Sequence, residues 1–301
     1  MSIKSLLGFK YYLKNQTLDF PKIVDFRKDE IIHQLNFQEI TPQWLNQYEQ
    51  YMTKEQSRSM TTVGMYLRSL RAIFNIAIHD KDIDSEVYPF GKRKYVIPAG
   101  RGVKKALNME QISKLFYAKA QNKEQEKAKA FWFFSFACNG MNMKDITLLR
   151  YENIDGDRLF FHREKTRNTT KSDLKLVEVY LTKKPKAVIK KYGNKNIQPK
   201  QFVFPIISES QTEYEQFRAI QNFTKFVNQH LKLLAESIGI TADISSYWAR
   251  HSFATNAVRM GKSMEFVSDA LSHGNVNTTK AYFAGFEDDD KKDFMEKLMN
   301  F

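Results

Sequence analysis

The sequence predicts a mainly helical protein of two domains, the second carrying a small antiparallel β-sheet, so an α+β arrangement. Three observations lead there. Apolar residues recur at Val63, Leu67, Leu70, Phe74, Ala77 and Ile78, the spacing of one face of a long helix. Phe131, Trp132, Phe133, Phe134 and Phe136 form an almost unbroken aromatic run, as in a helix buried on every side. Residues 158–161 and 177–181 are short aromatic and β-branched runs on either side of a polar stretch, the pattern of a hairpin. With 301 residues the chain is long enough for two domains, each with its own core.

The elements follow in order. Thr41-Pro42 reads as an N-cap with proline at the first helical position, opening a helix through Trp44, Leu45, Tyr48, Tyr51 and Met52. The long helix comes next, its polar face carrying Arg68 and Arg71. Pro89-Phe90-Gly91 ends the region. Lys92, Arg93 and Lys94 then begin a glycine-, proline- and cation-rich stretch, residues 92–105, expected to be a basic linker that crosses a phosphate backbone. The domain boundary is placed near residue 104, giving domains 1–104 and 105–301. Asn108 with Gln111 makes a capping box at the start of the second domain. The aromatic helix spans about 126–138, and the two strands flank a polar turn from Lys165 to Asp173. Thr182 is expected to cap a helix with Pro185 early in it. Further helical patterns cover 211–238, 262–272 and 287–300, the last with acidic residues first and Phe294, Leu298 and Met299 later.

Composition narrows the function. Hydrophobic residues make up 42% and aromatics 14%, which fits a globular chain and not a disordered one. Lys and Arg number 47 against 34 Asp and Glu, a net charge of +13, so a polyanion is the favoured partner, nucleic acid first. The lone cysteine, Cys138, excludes a disulfide framework and a thiolate metal cluster. The histidines show no ligand spacing, so no metal and no cofactor are expected. No apolar run approaches a membrane span and the N-terminus has no signal-peptide pattern, so a cytoplasmic location, nucleoid-associated on DNA, is expected.

The most informative stretch lies near the C-terminus: Tyr247-Trp-Ala-Arg250-His251, then Leu271-Ser-His273-Gly, then Thr278-Thr279-Lys-Ala-Tyr282. Arginine, histidine and tyrosine supply what phosphodiester transesterification needs: a cation for the phosphate, a hydrogen-bond donor beside it and a hydroxyl nucleophile. Taken singly, Tyr282 reads as a packed aromatic and Arg250 as a surface or ion-paired arginine. Their spacing, with Ser252-Phe-Ala-Thr255 behind Arg250-His251, raises the catalytic reading above the bland one. His251 reads as structural, bracing Arg250 from within the helix.

The block resembles the C-terminal signature of the tyrosine recombinases, or phage integrase family. The resemblance covers about residues 30–300, most strongly 245–284. It implies that Tyr282 attacks DNA to form a 3′-phosphotyrosyl bond, that Arg250 clamps the phosphate and His273 donates to it, and that Lys165 protonates the leaving 5′-oxygen. Lys171 competes with Lys165 for that role. Two positions depart from the family pattern. Asn142, in Gly140-Met-Asn142-Met-Lys-Asp145, stands where the first arginine is usual, and Arg150, Lys144, Arg163 and Arg167 are candidates for the missing cation. Tyr247 stands where the pattern has histidine; a phenol donates to phosphate yet is a poor base near neutrality. Integrases of mobile elements in Bacteroidetes are similar at both positions.

The resemblance further implies double-stranded DNA as partner, gripped between a helical core-binding domain and the catalytic domain, and a homotetramer on DNA linked through the C-terminal helix. A DNA-bending accessory protein is admitted as a further partner. Arg58, Arg68, Arg71, Lys92, Arg93 and Lys94 are the candidate phosphate contacts, against the plainer reading of a solvated basic face. Little precedes residue 30, so a short form without an arm-binding domain is expected. The rivals are a DNA-binding relative silenced by Asn142 and Tyr247, a type IB topoisomerase, and a helical transcription factor.

Overall fold

The computed structural model describes residues 36–99, 105–167 and 175–299, with the side chains of 166 and 167 excepted. It divides into two compact units, Met1–Gly102 and Val103–Phe301. Among the described residues, no helix is long and apolar enough to cross a membrane, and no three His, Cys, Asp or Glu side chains converge as metal ligands would.

The first unit is built on two helices. Helix α1, Pro42–Gln50, is capped by the Thr41 hydroxyl, which accepts from the Trp44 amide, and has proline at its start. It runs into a wider turn, Tyr51–Glu55, that brings Tyr51 and Met52 into the core beside Trp44, Leu45 and Tyr48. Helix α2, Met60–His79, buries Val63, Tyr66, Leu67, Leu70, Ile73, Phe74 and Ala77 along one face. Gly64 lets that helix lie against the chain at Pro98, whose carbonyl oxygen would sit 2.3 Å from an added Cβ.

Phe90 and Tyr95 both enter this core, at 6% and 4% exposure. Lys92, Arg93 and Lys94 are therefore part of a tight turn pinned at both ends, and not of a free linker. Tyr95 supplies the anchor that a reading by composition misses. Residues 100–104, the rest of the expected linker, lie outside the described residues.

The second unit is arranged around α4. Helix α3, Met109–Tyr117, opens on the Asn108/Gln111 capping box. Helix α4, Lys123–Ala137, turns Phe131 and Phe134 toward the β-sheet and Ala128 and Trp132 toward α3 and the helices described below. A helix apolar on all sides needs neighbours on all sides. Asn139 and Gly140, both at positive φ, turn the chain into α5, Met143–Leu148.

Strands β1 (Ile154–Asp155), β2 (Arg158–His162) and β3 (Leu176–Tyr180) form an antiparallel sheet in that order, with Leu159 opposite Val179 and Phe161 opposite Val177 facing the core. A single helical turn, α6 (Glu164–Arg167), follows β2.

Helix α7, Lys183–Tyr192, starts after Thr182, whose side chain makes no capping bond, and has Pro185 in its first turn. Helix α8 (Glu213–Ser237) packs along α4. Helices α9 (Ser246–Arg259), α10 (Met264–Ala270) and α11 (Val276–Lys280) follow. Helix α12 (Asp288–Leu298) buries none of its residues.

Candidate active site

Helix α9 organises the site. Eight of its fourteen residues are buried, among them Arg250, His251, Ser252, Thr255 and Asn256. Ser252 and Asn256 tie it to the start of the unit, accepting from the Leu107 amide at 2.9 Å and donating to the Leu107 carbonyl at 2.9 Å. Arg250 lies on another side, 4% exposed. Its Nη1 donates to the Gly140 carbonyl at 3.2 Å, and Nη2 donates to the Leu271 carbonyl at 2.6 Å and to His273 Nε2 at 3.1 Å. Gly140 has a positive φ of 64°, and a Cβ there would meet the Arg250 Cα at 2.6 Å, so this seat requires glycine.

His273 follows Ser272, which turns the chain at φ 51° after α10. A guanidinium only donates, so Nε2 of His273 accepts from Arg250; the ring proton sits on Nδ1 and is donated to Thr279 Oγ1 at 2.9 Å. Burial, then the charges of Arg250, Arg163 and Lys165, push the His273 pKa down to about 4. Burial and the neighbouring Arg163 charge likewise lower Arg250 to about 10.

Tyr282 completes the cluster. Its hydroxyl lies 2.5 Å from that of Tyr247, its ring centroid is 4.6 Å from that of His251 and 5.0 Å from that of His273, and the Arg250 guanidinium is 5.5 Å from its ring centre. The Tyr282 carbonyl accepts from Thr255 Oγ1 at 3.2 Å and pairs with His251 Nδ1 at 3.3 Å. Thr255 Oγ1 accepts in turn from the Ala284 amide at 3.0 Å, and Arg259 donates to the Gly285 carbonyl and pairs with Glu287. Residues 247, 251, 255 and 259, one helical turn apart, thus hold residues 282–287 in succession. His251 braces Tyr282, and not Arg250: at position 251 the ring falls on the stripe of α9 that faces the chain after α11.

The remaining candidates divide. Tyr247 is in the cluster, and burial with the Tyr282 hydroxyl raises its pKa above the tyrosine range. Asn142 is exposed and its side-chain oxygen accepts from the Lys144 amide at 3.0 Å, so it caps α5. An asparagine just before a helical turn is itself a capping signal. Asn142, Tyr247, Gly140 and Arg250 share a cavity of about 260 Å³ with Asn228 and Ser246.

Lys165 is exposed on the one-turn helix α6, in the connection between the paired strands β2 and β3, and its charge reaches His273. The Glu164 amide donates to buried Asp145 at 3.0 Å, which fixes that turn; burial raises the Asp145 pKa. Lys171 lies outside the described residues.

Arg163 is buried at 8% exposure, its Nη1 donating to the Leu271 and Ser272 carbonyls at 3.2 and 3.4 Å. Arg150 is elsewhere, paired with Glu209 at 2.6 Å and stacked on Phe202. In the first unit, Arg58, Arg68, Arg71, Lys92, Arg93 and Lys94 are all exposed, but the Lys94 ammonium folds back to donate to the Tyr88 carbonyl at 2.5 Å.

The second unit is thus helical with a small antiparallel sheet, and it brings an arginine, a histidine and two tyrosines into one cleft. The chain belongs to the phage integrase family, matching it over residues 105–288 and the phage integrase SAM-like domain over residues 8–97. The tyrosine recombinase XerD of Listeria monocytogenes serotype 4b is 24% identical over 236 residues, covering 76% of this chain and 73% of the relative. A tyrosine recombinase of Thermosipho africanus is 26% identical over 243 residues, covering 79% and 76%. Among solved structures, the Tn1549 transposon integrase in complex with transposon right end DNA has a TM-score of 0.66 at 15% identity, covering 98% of both chains. A lambda integrase dimer bound to a core site has 0.61 at 12% identity, covering 93% of this chain and 94% of the other. At these identities the structural likeness establishes the fold.

Proposed function

We propose that this protein is an active site-specific DNA recombinase that cleaves and rejoins strands through a 3′-phosphotyrosyl bond to Tyr282. The observation that carries this reading is the convergence of Arg250, His273, Tyr247 and Tyr282 in one cleft. The Tyr282 hydroxyl gives up its proton to solvent and its oxygen attacks the phosphorus, the phosphotyrosyl bond forms as the bond from phosphorus to the 5′-oxygen breaks, and the 5′-oxygen leaves with a proton from Lys165. Arg250 neutralises a non-bridging oxygen as charge develops. His273 donates to the same phosphate: an arriving anion draws the Arg250 guanidinium to itself, frees Nε2 and offsets the cations that keep the ring neutral.

The phosphodiester energy is stored in the bond to Tyr282, so rejoining needs no nucleotide cofactor. Because residues 247, 251, 255 and 259 of the same chain hold the Tyr282 segment, the nucleophile serves its own active site. Double-stranded DNA is the proposed partner, with Arg58, Arg68, Arg71, Lys92 and Arg93 as backbone contacts. Four subunits assemble on it through the exposed face of α12, where Phe294, Leu298 and Met299 are 61%, 54% and 65% exposed.

The test is a suicide substrate, nicked so that cleavage cannot reverse and built from DNA flanking the gene. A covalent complex on a denaturing gel with wild type but not Tyr282→Phe is expected. Tight binding in a mobility-shift assay without any adduct would overturn the catalytic reading.

A further inference from the structure

The two strands on either side of Lys165 are both tied to one short stretch of chain, the end of α10. From β2, the Arg163 guanidinium donates to the Leu271 and Ser272 carbonyls at 3.2 and 3.4 Å. From β3, the ammonium of Lys175, the residue before the strand begins, pairs with Asp269 at 2.5 Å. Nδ1 of His162, opposite Leu176 in the ladder, donates to the Lys175 carbonyl at 3.3 Å, so the two strand ends are also joined to each other. His273 follows directly on the gripped stretch, and the Lys165 charge is felt at its ring.

Helix α6, which carries Lys165, has four residues. Isolated helices shorter than about 12 residues do not hold themselves in water, so α6 keeps its place through its ties to neighbours. The Glu164 amide on Asp145 and Arg163 on the end of α10 fix its start. The Lys175–Asp269 pair fastens the strand to which the chain returns. For folding that pair counts for little: its side chains are 45% and 75% exposed, and exposed pairs are weak and screened by salt. For catalysis placement counts far more. A general acid must reach the leaving oxygen at hydrogen-bond distance, and a displacement of about 1 Å can cost about 100-fold in rate.

We propose that Lys175 and Asp269 are positioning residues for the general acid. Their ion pair holds the start of β3 against α10, so that the Lys165 ammonium meets the leaving 5′-oxygen of the phosphate served by Arg250 and His273. The proposal rests on the recombinase reading above and on the role given there to Lys165. Its sign is opposite to that of plain electrostatics. Removing an acid from a protein that binds a polyanion should, by charge alone, strengthen binding and favour cleavage. Removing Asp269 should instead slow cleavage.

The test compares single-turnover adduct formation by wild type, Asp269→Asn and Lys165→Ala on two nicked suicide substrates. One has the ordinary bridging 5′-oxygen; the other has sulfur in its place. On the first, the bond from phosphorus to oxygen breaks and the oxygen takes a proton from Lys165. On the second, the bond from phosphorus to sulfur breaks and the electron pair leaves on a thiolate, which is far less basic than an alkoxide and needs no proton. Asp269→Asn keeps the shape of an exposed side chain. It is expected to slow the oxygen substrate about three- to tenfold, between the worth of an exposed ion pair and that of a displaced catalytic group, with DNA affinity equal or higher. On the sulfur substrate it should lie within about twofold of wild type. Lys165→Ala should lose about 100-fold or more on oxygen and recover on sulfur. Asp269→Lys, which repels Lys175, should be slower than Asp269→Asn, and adding Lys175→Asp, which restores the pair with its ends exchanged, should return the rate to within about threefold of wild type.

Equal slowing of both substrates by Asp269→Asn would assign the pair to fold or binding and overturn the proposal. A rate at or above wild type on the oxygen substrate, the outcome of plain electrostatics, would overturn it too. If Lys165→Ala stays slow on the sulfur substrate, Lys165 is not the general acid and the proposal falls with that assignment. Absence of any wild-type adduct on bound DNA overturns the recombinase reading itself.

Discussion

Arg250 and His273 hold one another in a single chemical state. Burial first, then the charge of the guanidinium that donates to Nε2, keeps the ring neutral, and its pKa falls from the ordinary 6.5 to about 4. Between those values the unfolded chain binds a proton at this position that the folded chain does not. Stability of the DNA-free protein therefore rises with pH across that window and is lost as pH falls through it. Thermal melts from pH 4 to 7 are expected to show a stability change of roughly 1–3 kcal/mol that His273→Gln removes.

Tyr247 makes a second prediction at this scale. Held above the usual tyrosine range, it does not ionise near neutrality, so it positions Tyr282 and does not act as its base. Tyr247→Phe should slow adduct formation about two- to tenfold, the worth of one neutral hydrogen bond, without changing the pH profile between 6 and 9. Tyr247→His should introduce a titration near 6.5.

Arg250, His273 and Tyr282 could be picked out of the sequence because their residue types and spacing are informative together. The burial of Arg163 was not legible in the same way. A basic residue at a strand end has no local pattern that reveals burial, and only the return of the chain through α10 covers it.

At the level of elements, α9 reads differently on each side. One side fastens to Leu107, another seats Arg250, and the stripe 247–251–255–259 holds the chain beyond α11. Thr255→Val removes two hydrogen bonds from that stripe, those to the Tyr282 carbonyl and from the Ala284 amide. About 1–3 kcal/mol of stability should go with them, and adduct formation should fall further than DNA binding.

Gly140→Ala attacks the opposite side. It combines a left-handed backbone with overlap of the Arg250 backbone, costing about 2–4 kcal/mol in chemical denaturation and removing activity.

Helix periodicity made α2 and the aromatic α4 legible, and the capping rules placed the starts of α1 and α3. The turn at 91–95 escapes a reading by composition because Gly91, Lys92, Arg93 and Lys94 dominate it. Its fold is decided by Phe90 and Tyr95, which pack on α2 residues remote in sequence. Lys165 sits in a helical turn for a similarly remote reason, since buried Asp145 takes up the Glu164 amide.

For the whole molecule, the uneven burial of the C-terminal segment predicts that folding can be separated from the four-subunit assembly proposed above. Residues up to 287 are fastened to α9, whereas α12 itself contributes nothing to the core. Serine at Phe294 and Leu298 should leave the unfolding free energy almost unchanged, within about 0.5 kcal/mol. Half-site cleavage should persist, while the four-subunit complex on DNA, read by light scattering or native mass measurement, is lost.

The stripe on α9 has a consequence for which lengths of this protein can exist. Its four contacts depend on side chains leaving the helix in one direction every fourth residue. Inserting or deleting one residue between Tyr247 and Arg259 rotates everything beyond it by about 100° and turns those side chains away from residues 282–287. Loops elsewhere in the unit can grow or shrink at modest entropic cost. A library of single-residue insertions selected for recombination should therefore accept changes between α7 and α8 and return none within this stretch of α9.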